Sequence, residues 1–415
     1  MSEGTSAAGG SAGLLGSADV VVVGGGLVGL ANAWHAIRSG RSVVLLERDE
    51  YAVGSSIRNF GHIGTTVQAG AVLRVARRAR ELWLTLARDA GFPVVQAGTV
   101  VVARHETEQA VLEEFAAARP GDAQLLTREA AESRLGLRIP GLLAAAHLPA
   151  DLRIDPPAVI PAITAHLQRL GVTIHTRTAV QRVEPGLVRT TRGDVRAGQV
   201  ILAVNFDVDR FFPDLADGIG LLRCRLRMLE AATPGGAVMA PALLTGLSLL
   251  RYDGFNEQPS AARVRERIAA ESPELLDHVV NLMCTQRPDG SLILGDTHHY
   301  GITEPPFEDE ASDELLLEQF RRLLGVRHLA VRRRWRGVYA SSPVTPFLVA
   351  DPLPGVRVVS VTSGIGMTTA LGLAEGALAG TIGPLPAADG SAPAGDRSAR
   401  PAGPARPAPD LLPTS

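Results

Sequence analysis

Asp19 to Val23, "DVVVV", is a β-branched run of strand length. It runs straight into "GGGLVGL". "LANAWHAIRSG" then carries helix-like composition and stops at Gly40, and "SVVLLE" is a second strand closed by Glu47. Further on, "GTVVVARHETEQAVLEEFAAA" predicts a strand followed by a helix. A helix over Pro157 to Leu170 precedes two strand segments in "GVTIHTRTAVQRVE". "VRAGQVILAVN" predicts another buried strand. "LLRCRLRMLEAA" and "GSLILGDTHHYG" predict strands of a separate sheet, and "VRVVSVTSGIGMTTALGLAEGALAG" predicts strand, glycine turn and helix.

The first unit carries chemistry. Gly24, Gly26 and Gly29 fit G-x-G-x-x-G between a strand and a helix. Gly24 allows the tight turn, Gly26 lets backbone approach a pyrophosphate, and Gly29 lets helix and strand pack closely. Leu27 and Val28 open the helix, whose N–H groups and dipole favour anions. Glu47 lies at the offset where a carboxylate meets ribose hydroxyls. The unit predicts FAD or NAD; an acid there argues against the 2′-phosphate of NADP.

Composition narrows the field. A hydrophobic content of 46% over 415 residues supports two domains with sizeable cores. A net charge of -2 gives no reason to expect a nucleic-acid partner. "VRRRWR", Val331 to Arg336, is the densest basic stretch and reads as a solvated strand or loop edge. All 41 basic residues are arginine, so a lysine Schiff base and a Walker lysine are both excluded. Cys224 and Cys284 make neither a disulfide framework nor a CxxC metal pair, which fits a cytoplasmic setting without a metal. Residues 1–17 lack a basic n-region and are expected to be disordered, and no apolar run is long enough for a transmembrane segment. Residues 383–415, rich in Pro, Ala, Gly and Arg, are expected to form a disordered tail.

The loop after the second strand reads "GSSIRNFGHI", Gly54 to Ile63. Here the chain resembles the D-amino-acid-oxidase-like superfamily of FAD-dependent oxidoreductases, with glycine and sarcosine oxidase. The resemblance runs from about Asp19 to Ile382, through Glu47-Arg48, Ser55-Ser56, "VILAVN" and "SGIGMTTALGLAEG". Ser56 to His62 is similar to a subgroup associated with aminophosphonate breakdown, with the pattern S-x-R-N-F-G-H. The resemblance implies an α/β architecture: a Rossmann-type FAD-binding domain over 18–91, 151–220 and 332–382. An interleaved antiparallel-sheet substrate domain would take 92–150 and 221–331. Val180 would give its backbone to the adenine. Ala203 to Asn205 replaces a more usual alanine-x-glycine, a turn that asparagine can support in the left-handed region. Gly364, Gly366, Met367 and Thr368 would meet the flavin pyrimidine edge, where a positive helix end stabilises negative charge. Ser55 and Ser56 would serve the phosphates, with Arg48 beside them. Arg58 and Asn59 would face the ring or an anionic substrate. His62 is either a substrate contact or a spectator behind Phe60. Some relatives bond the flavin to a histidine in this loop; Arg58 stands near that place, so non-covalent FAD is expected.

In the substrate half, alternation sends Asp296, His298 and Tyr300 one way and His299 the other. His298 is either structural or in the site, and Asp296 and Asp351 are expected to cap turns. Arg336 and Tyr339 are expected near the flavin, with Arg336 as the bidentate partner of a carboxylate or phosphonate. Trp34 and Trp83 are expected in the core, and Asp155 as a helix cap. The implied activity is oxidation of a small acidic amine. A hydride passes from carbon to flavin N5, and the imine hydrolyses. Glycine, sarcosine or D-amino-acid oxidation is the alternative within this class. An NAD-dependent dehydrogenase or a non-catalytic flavin protein are the alternatives outside it. Many related oxidases use a lysine toward oxygen, so its absence leaves open oxygen or another electron acceptor.

Overall fold

The computed structural model describes residues 13–383. The expected tail from 384 onward and residues 1–12 lie outside the described residues. Two eight-stranded sheets organise the chain. The first is built on the parallel order Val356–Val361, Gly193–Leu202, Leu14–Val23, Val43–Leu46, Thr173–His175, with Phe347–Leu353 antiparallel at one edge. Val20 to Val23 are buried on both faces, as a near-continuous apolar run in a covered parallel sheet must be. The helices Leu27–Arg38, Gly70–Ala90 and Gly366–Ala379 pack together on one face, with Trp34 and Trp83 fully buried among them. The strand start falls at Leu14, so Leu14 to Ser17 belong to this sheet and not to a disordered N-terminus. The Asp194 N–H donates to the Gly13 carbonyl at 3.1 Å, so the pairing extends to Gly13.

The second sheet runs Val331–Ser341, Leu222–Ala232, Ser291–Gly301, Met283–Gln286, Ala242–Leu244, Thr99–Ala103, Ala144–Leu148, Gln124–Leu126. All neighbours are antiparallel except Ala242–Leu244 with Thr99–Ala103. The sequence boundary at 332 is corrected here. Val331–Ser341 is the edge strand of the second sheet, and the chain returns to the first sheet only at Phe347–Leu353. Alternation along Leu222–Ala232 puts Cys224, Leu226 and Met228 on one face. Arg223, Arg225 and Arg227 take the reverse face, where Arg227 reaches Asp313 at 2.9 Å and Arg223 reaches Asp209 at 2.8 Å. No helix among the described residues is long and apolar enough to cross a membrane.

Candidate active site

One cavity of about 780 Å³ runs from the Gly24 turn to the second sheet. At its first end Gly24 and Gly26 through Val28 bring the start of the Leu27–Arg38 helix to the wall. Glu47 Oε2 accepts the Gly25 N–H at 2.7 Å, and Oε1 accepts the Asp49 N–H at 2.9 Å. Both oxygens thus accept backbone N–H groups, which fixes this carboxylate at the cavity edge. Ser56 Oγ accepts the Leu27 N–H at 2.8 Å, which fastens the loop to the helix start. Gly29 is not on the wall. A Cβ there would collide with the Gly24 carbonyl, which is the close packing its place in the pattern requires.

The loop Gly54 to Ile63 is braced by Asn59. Its amide donates to the Ser55 and Ser56 carbonyls at 2.8 and 3.1 Å, and its Oδ1 accepts the Gly61 N–H at 2.8 Å. Arg58 borders the cavity and donates to the Arg336 carbonyl at 3.4 Å. Arg48 also borders it, with one guanidinium nitrogen 2.6 Å from Asp207. Asn205 adopts φ 58, the left-handed turn expected of it, and its Oδ1 accepts the Ala340 N–H at 2.7 Å. Val180 and Ala203 complete this half of the wall.

At the other end Gly364, Gly366 and Met367 line the cavity at the start of the Gly366–Ala379 helix. Thr368 turns inward instead, where its Oγ1 accepts the Gly64 N–H at 3.1 Å. Gly364, at φ 75, leaves no room for a side chain: a Cβ would stand 2.6 Å from the Tyr339 ring. Two helix N-termini, a fixed carboxylate and glycine-lined walls fit an elongated dinucleotide with its phosphates at the first turn and a ring at the second.

The second sheet closes the cavity with Leu226, Met283, Asp296, His298 and Tyr339, and the turn after Gly246–Leu250 adds Arg251 and Tyr252. Arg251 Nη2 donates to the Tyr339 hydroxyl at 3.0 Å. Burial pushes the Tyr252 hydroxyl and the Cys224 thiol up to about 12, and drives Tyr339 upward as well, so these neighbours of Arg251 are neutral at neutral pH. Among the described residues no carboxylate stands within ion-pair distance of this arginine. Asp296 is buried at 3% exposure, and burial raises its carboxyl to about 7 against the pull of Arg251. His298 is lowered to about 3 by burial and then by Arg251, which keeps it neutral. Its Nδ1 lies 2.8 Å from the Val279 carbonyl, which can only accept, so Nδ1 carries the proton. Nε2 then turns a lone pair toward Asp296 Oδ2 at 3.6 Å.

Several expectations change, and the choice left open for His62 falls to a place outside the cavity. Asp296 is no turn cap; it is a buried acid on the cavity wall. His62 lies off the wall, buried, with Nε2 at 2.8 Å from Thr99 Oγ1, which in turn donates to Asp151 at 2.8 Å. Arg336 borders the cavity, but its side chain leaves by the reverse face. It sits opposite Arg227 in the ladder and 3.7 Å from Glu308, whereas Tyr339 sits opposite Cys224 on the cavity face. Arg251, Tyr252 and Asn281 were not read from the sequence at all. The available signal was an arginine ending a buried apolar stretch, "GLSLLR". Asp155 stands at the helix start as expected, but its carboxylate pairs with Arg287 at 3.1 Å and caps nothing. Asp351 likewise pairs with Arg357 at 2.7 Å.

The family model described as "FAD dependent oxidoreductase" matches residues 19–379. An opine oxidase subunit of Rhizobium meliloti is 27% identical over 219 residues, 47% of this chain and 58% of that protein. The match thus spans little more than half of that relative's length. Gamma-glutamylputrescine oxidoreductase of Escherichia coli is 24% identical over 348 residues, 77% of this chain and 73% of that one. Among solved structures, glycine oxidase from Geobacillus kaustophilus superposes with a TM-score of 0.70 at 17% identity, covering 86% of this chain and 92% of that one. At that identity the likeness speaks to fold. Since the family match takes in both glycine turns and the strands that wall the cavity between them, the chain belongs to the FAD-dependent oxidoreductases and uses FAD.

Proposed function

We propose that the enzyme oxidises the C–N bond of a small amine that carries an acidic group, with that group held by Arg251. The observation that carries this reading is an arginine on the cavity wall that lies among hydroxyls and a thiol, with no carboxylate at ion-pair distance among the described residues and with Asp296 acting on it only from farther away. A buried cation without a carboxylate partner favours an anionic ligand, and a planar guanidinium suits a carboxylate or phosphonate. Bound FAD supplies the two-electron oxidation by accepting hydride from the carbon next to nitrogen. The chain's own residues do the rest. Arg251 and Tyr339 orient the acid, and Leu226 and Met283 exclude water. The Gly364 turn and the helix that follows would hold the ring edge in a positive field. Imine hydrolysis then gives an aldehyde or keto acid.

Within this class the proposed substrate is 2-aminoethylphosphonate or an N-methyl or hydroxy relative, on the Ser56 to His62 pattern. Arg251 would hold the carboxylate of glycine, sarcosine or a D-amino acid equally well, and that is the second reading. FAD is taken to be non-covalent, which acid precipitation tests by releasing the colour. Two reduced cysteines suit the cytoplasm. The experiment is anaerobic incubation with each amine, assay of ammonia or methylamine and of the carbonyl product, then admission of air. Release of amine nitrogen with one acidic amine supports the reading; no release with any member removes it. The rate of reoxidation in air decides between oxygen and another acceptor.

A further inference from the structure

We propose that Asp296 takes the proton from the substrate's ammonium nitrogen, so that the amine binds as a cation and reacts as the free base. This rests on the amine-oxidation reading above and adds a catalytic residue to it.

The geometry singles Asp296 out. In the ladder Arg227 pairs Thr297 and Met228 pairs Gly295, so Asp296 is an extra residue in a bulge. Bulges re-aim side chains, and this one puts a carboxyl on the cavity wall. The backbone there is fixed: Asn281 and Asp296 exchange N–H to carbonyl bonds of 2.9 and 2.7 Å, and Ser248 Oγ holds Asn281 Oδ1 at 2.8 Å. Asp296 Oδ1 is buried and has no hydrogen-bond partner among the described residues. An orphaned buried acceptor needs a donor, and an ammonium N–H supplies one. Oδ2 faces the His298 lone pair, so the carboxyl has reason to hold a proton as well as to bind one.

The groups around it are Arg251 and Tyr252 from the turn, the Asn281 amide, which favours the ionised carboxylate, His298 from its own strand, and Cys224 from the neighbouring strand. Arg251 is the lone permanent charge among them. A zwitterion places its anion on Arg251 and its cation on Asp296. The step is a proton transfer: the N–H bond breaks, an O–H bond forms on Asp296, and no electrons change hands. The nitrogen lone pair so released supports departure of hydride from the adjacent carbon.

The test follows kcat/KM from pH 6 to 10.5 for wild type and Asp296→Asn. Glycine, sarcosine and 2-aminoethylphosphonate are the probes. Wild type should rise through about 7, following the carboxyl, and fall again as the free amine loses its own proton. Asp296→Asn should lose roughly 10²–10³-fold at pH 7.5 and recover as the pH passes the amine's own pKa. A variant with the wild-type pH profile overturns the proposal, whether or not its rate is uniformly lower. Binding of (methylthio)acetate, an anion without an amine, is read from flavin absorbance as a check on the folded site. It should match between the two proteins at pH 6 and weaken above pH 7 in wild type alone; equal pH dependence also counts against Asp296. If wild type is reduced by none of the three amines, the amine reading itself fails and this inference goes with it.

Discussion

Arg251 Nη2 and the Tyr339 hydroxyl meet at 3.0 Å, and so join the Gly246–Leu250 turn to the strand that runs past the flavin loop. Arg251 is the candidate anion partner, and Arg336, on the reverse face with Glu308, is not. Arg251→Gln should lower kcat/KM for an acidic amine by about 10- to 100-fold, mainly through KM. One charge-assisted contact is worth about 1.5–3 kcal/mol. Arg336→Ala should leave steady-state kinetics within about twofold of wild type. Kinetics on both variants checks the pair, and the opposite pattern restores Arg336 to the site.

Gly364 links the cofactor turn to the same tyrosine. Its φ is 75, and a Cβ there would stand 2.6 Å from the Tyr339 ring, so a side chain has nowhere to go. Gly364→Ala should cost about 1–2 kcal/mol of stability from the left-handed conformation and push Tyr339 off Arg251. The expected result is a raised KM and a lower melting temperature with FAD still bound. A variant with unaltered KM would separate the turn from the substrate end.

Asp296 and His298 make a prediction about stability and pH. Asp296 has its folded value raised from 3.8 to about 7, so the folded state holds a proton that the unfolded chain releases. Its contribution falls as pH rises through that window. His298 has its folded value lowered from 6.5 to about 3, so the unfolded chain binds the extra proton. Its contribution rises with pH over about 3 to 6.5. The two slopes oppose, each roughly 1.4 kcal/mol per pH unit at most, and nearly cancel between about 4 and 6.5. Relative to wild type, Asp296→Asn should gain stability as pH rises across this range, and His298→Gln should lose it. Melting temperatures of the FAD-saturated proteins check this. Parallel curves for all three would contradict it.

Glu47 tests the cofactor end. Glu47→Ala removes the acceptor for the Gly25 and Asp49 N–H groups together with the ribose contact expected of this acid. FAD affinity should fall by about 1–3 kcal/mol with the second sheet undisturbed. Flavin fluorescence on dilution measures it, and full retention would release Glu47 from that role.

Much of the cofactor end was legible because its constraints are local. Gly24, Gly26, Gly29 and Glu47 act within one strand–turn–helix–strand unit, and Asn205 carries its own backbone signature. The substrate end depends on pairings between distant segments. Asp296 was read as a turn cap, and only the slip against Arg227 and Met228 aims it at the cavity. Arg336 and Tyr339 are three apart in one strand, and the period of two already sends them to opposite faces. His62 was read from its loop alone, whereas Thr99 and Asp151 decide where it lies. Arg251 follows Leu247 and Leu249, whose burial gives its surroundings the look of core.

The cavity is proposed to couple a flavin to an arginine, Arg251, that selects acidic amines. Anaerobic titration of the yellow enzyme with glycine, sarcosine and 2-aminoethylphosphonate, each against ethylamine, tests it most directly through flavin absorbance. At least one acidic amine should bleach the flavin at concentrations where ethylamine leaves it oxidised, and Arg251→Gln should erase that preference. A colourless protein, or bleaching by ethylamine as readily as by every acidic amine, would contradict the account.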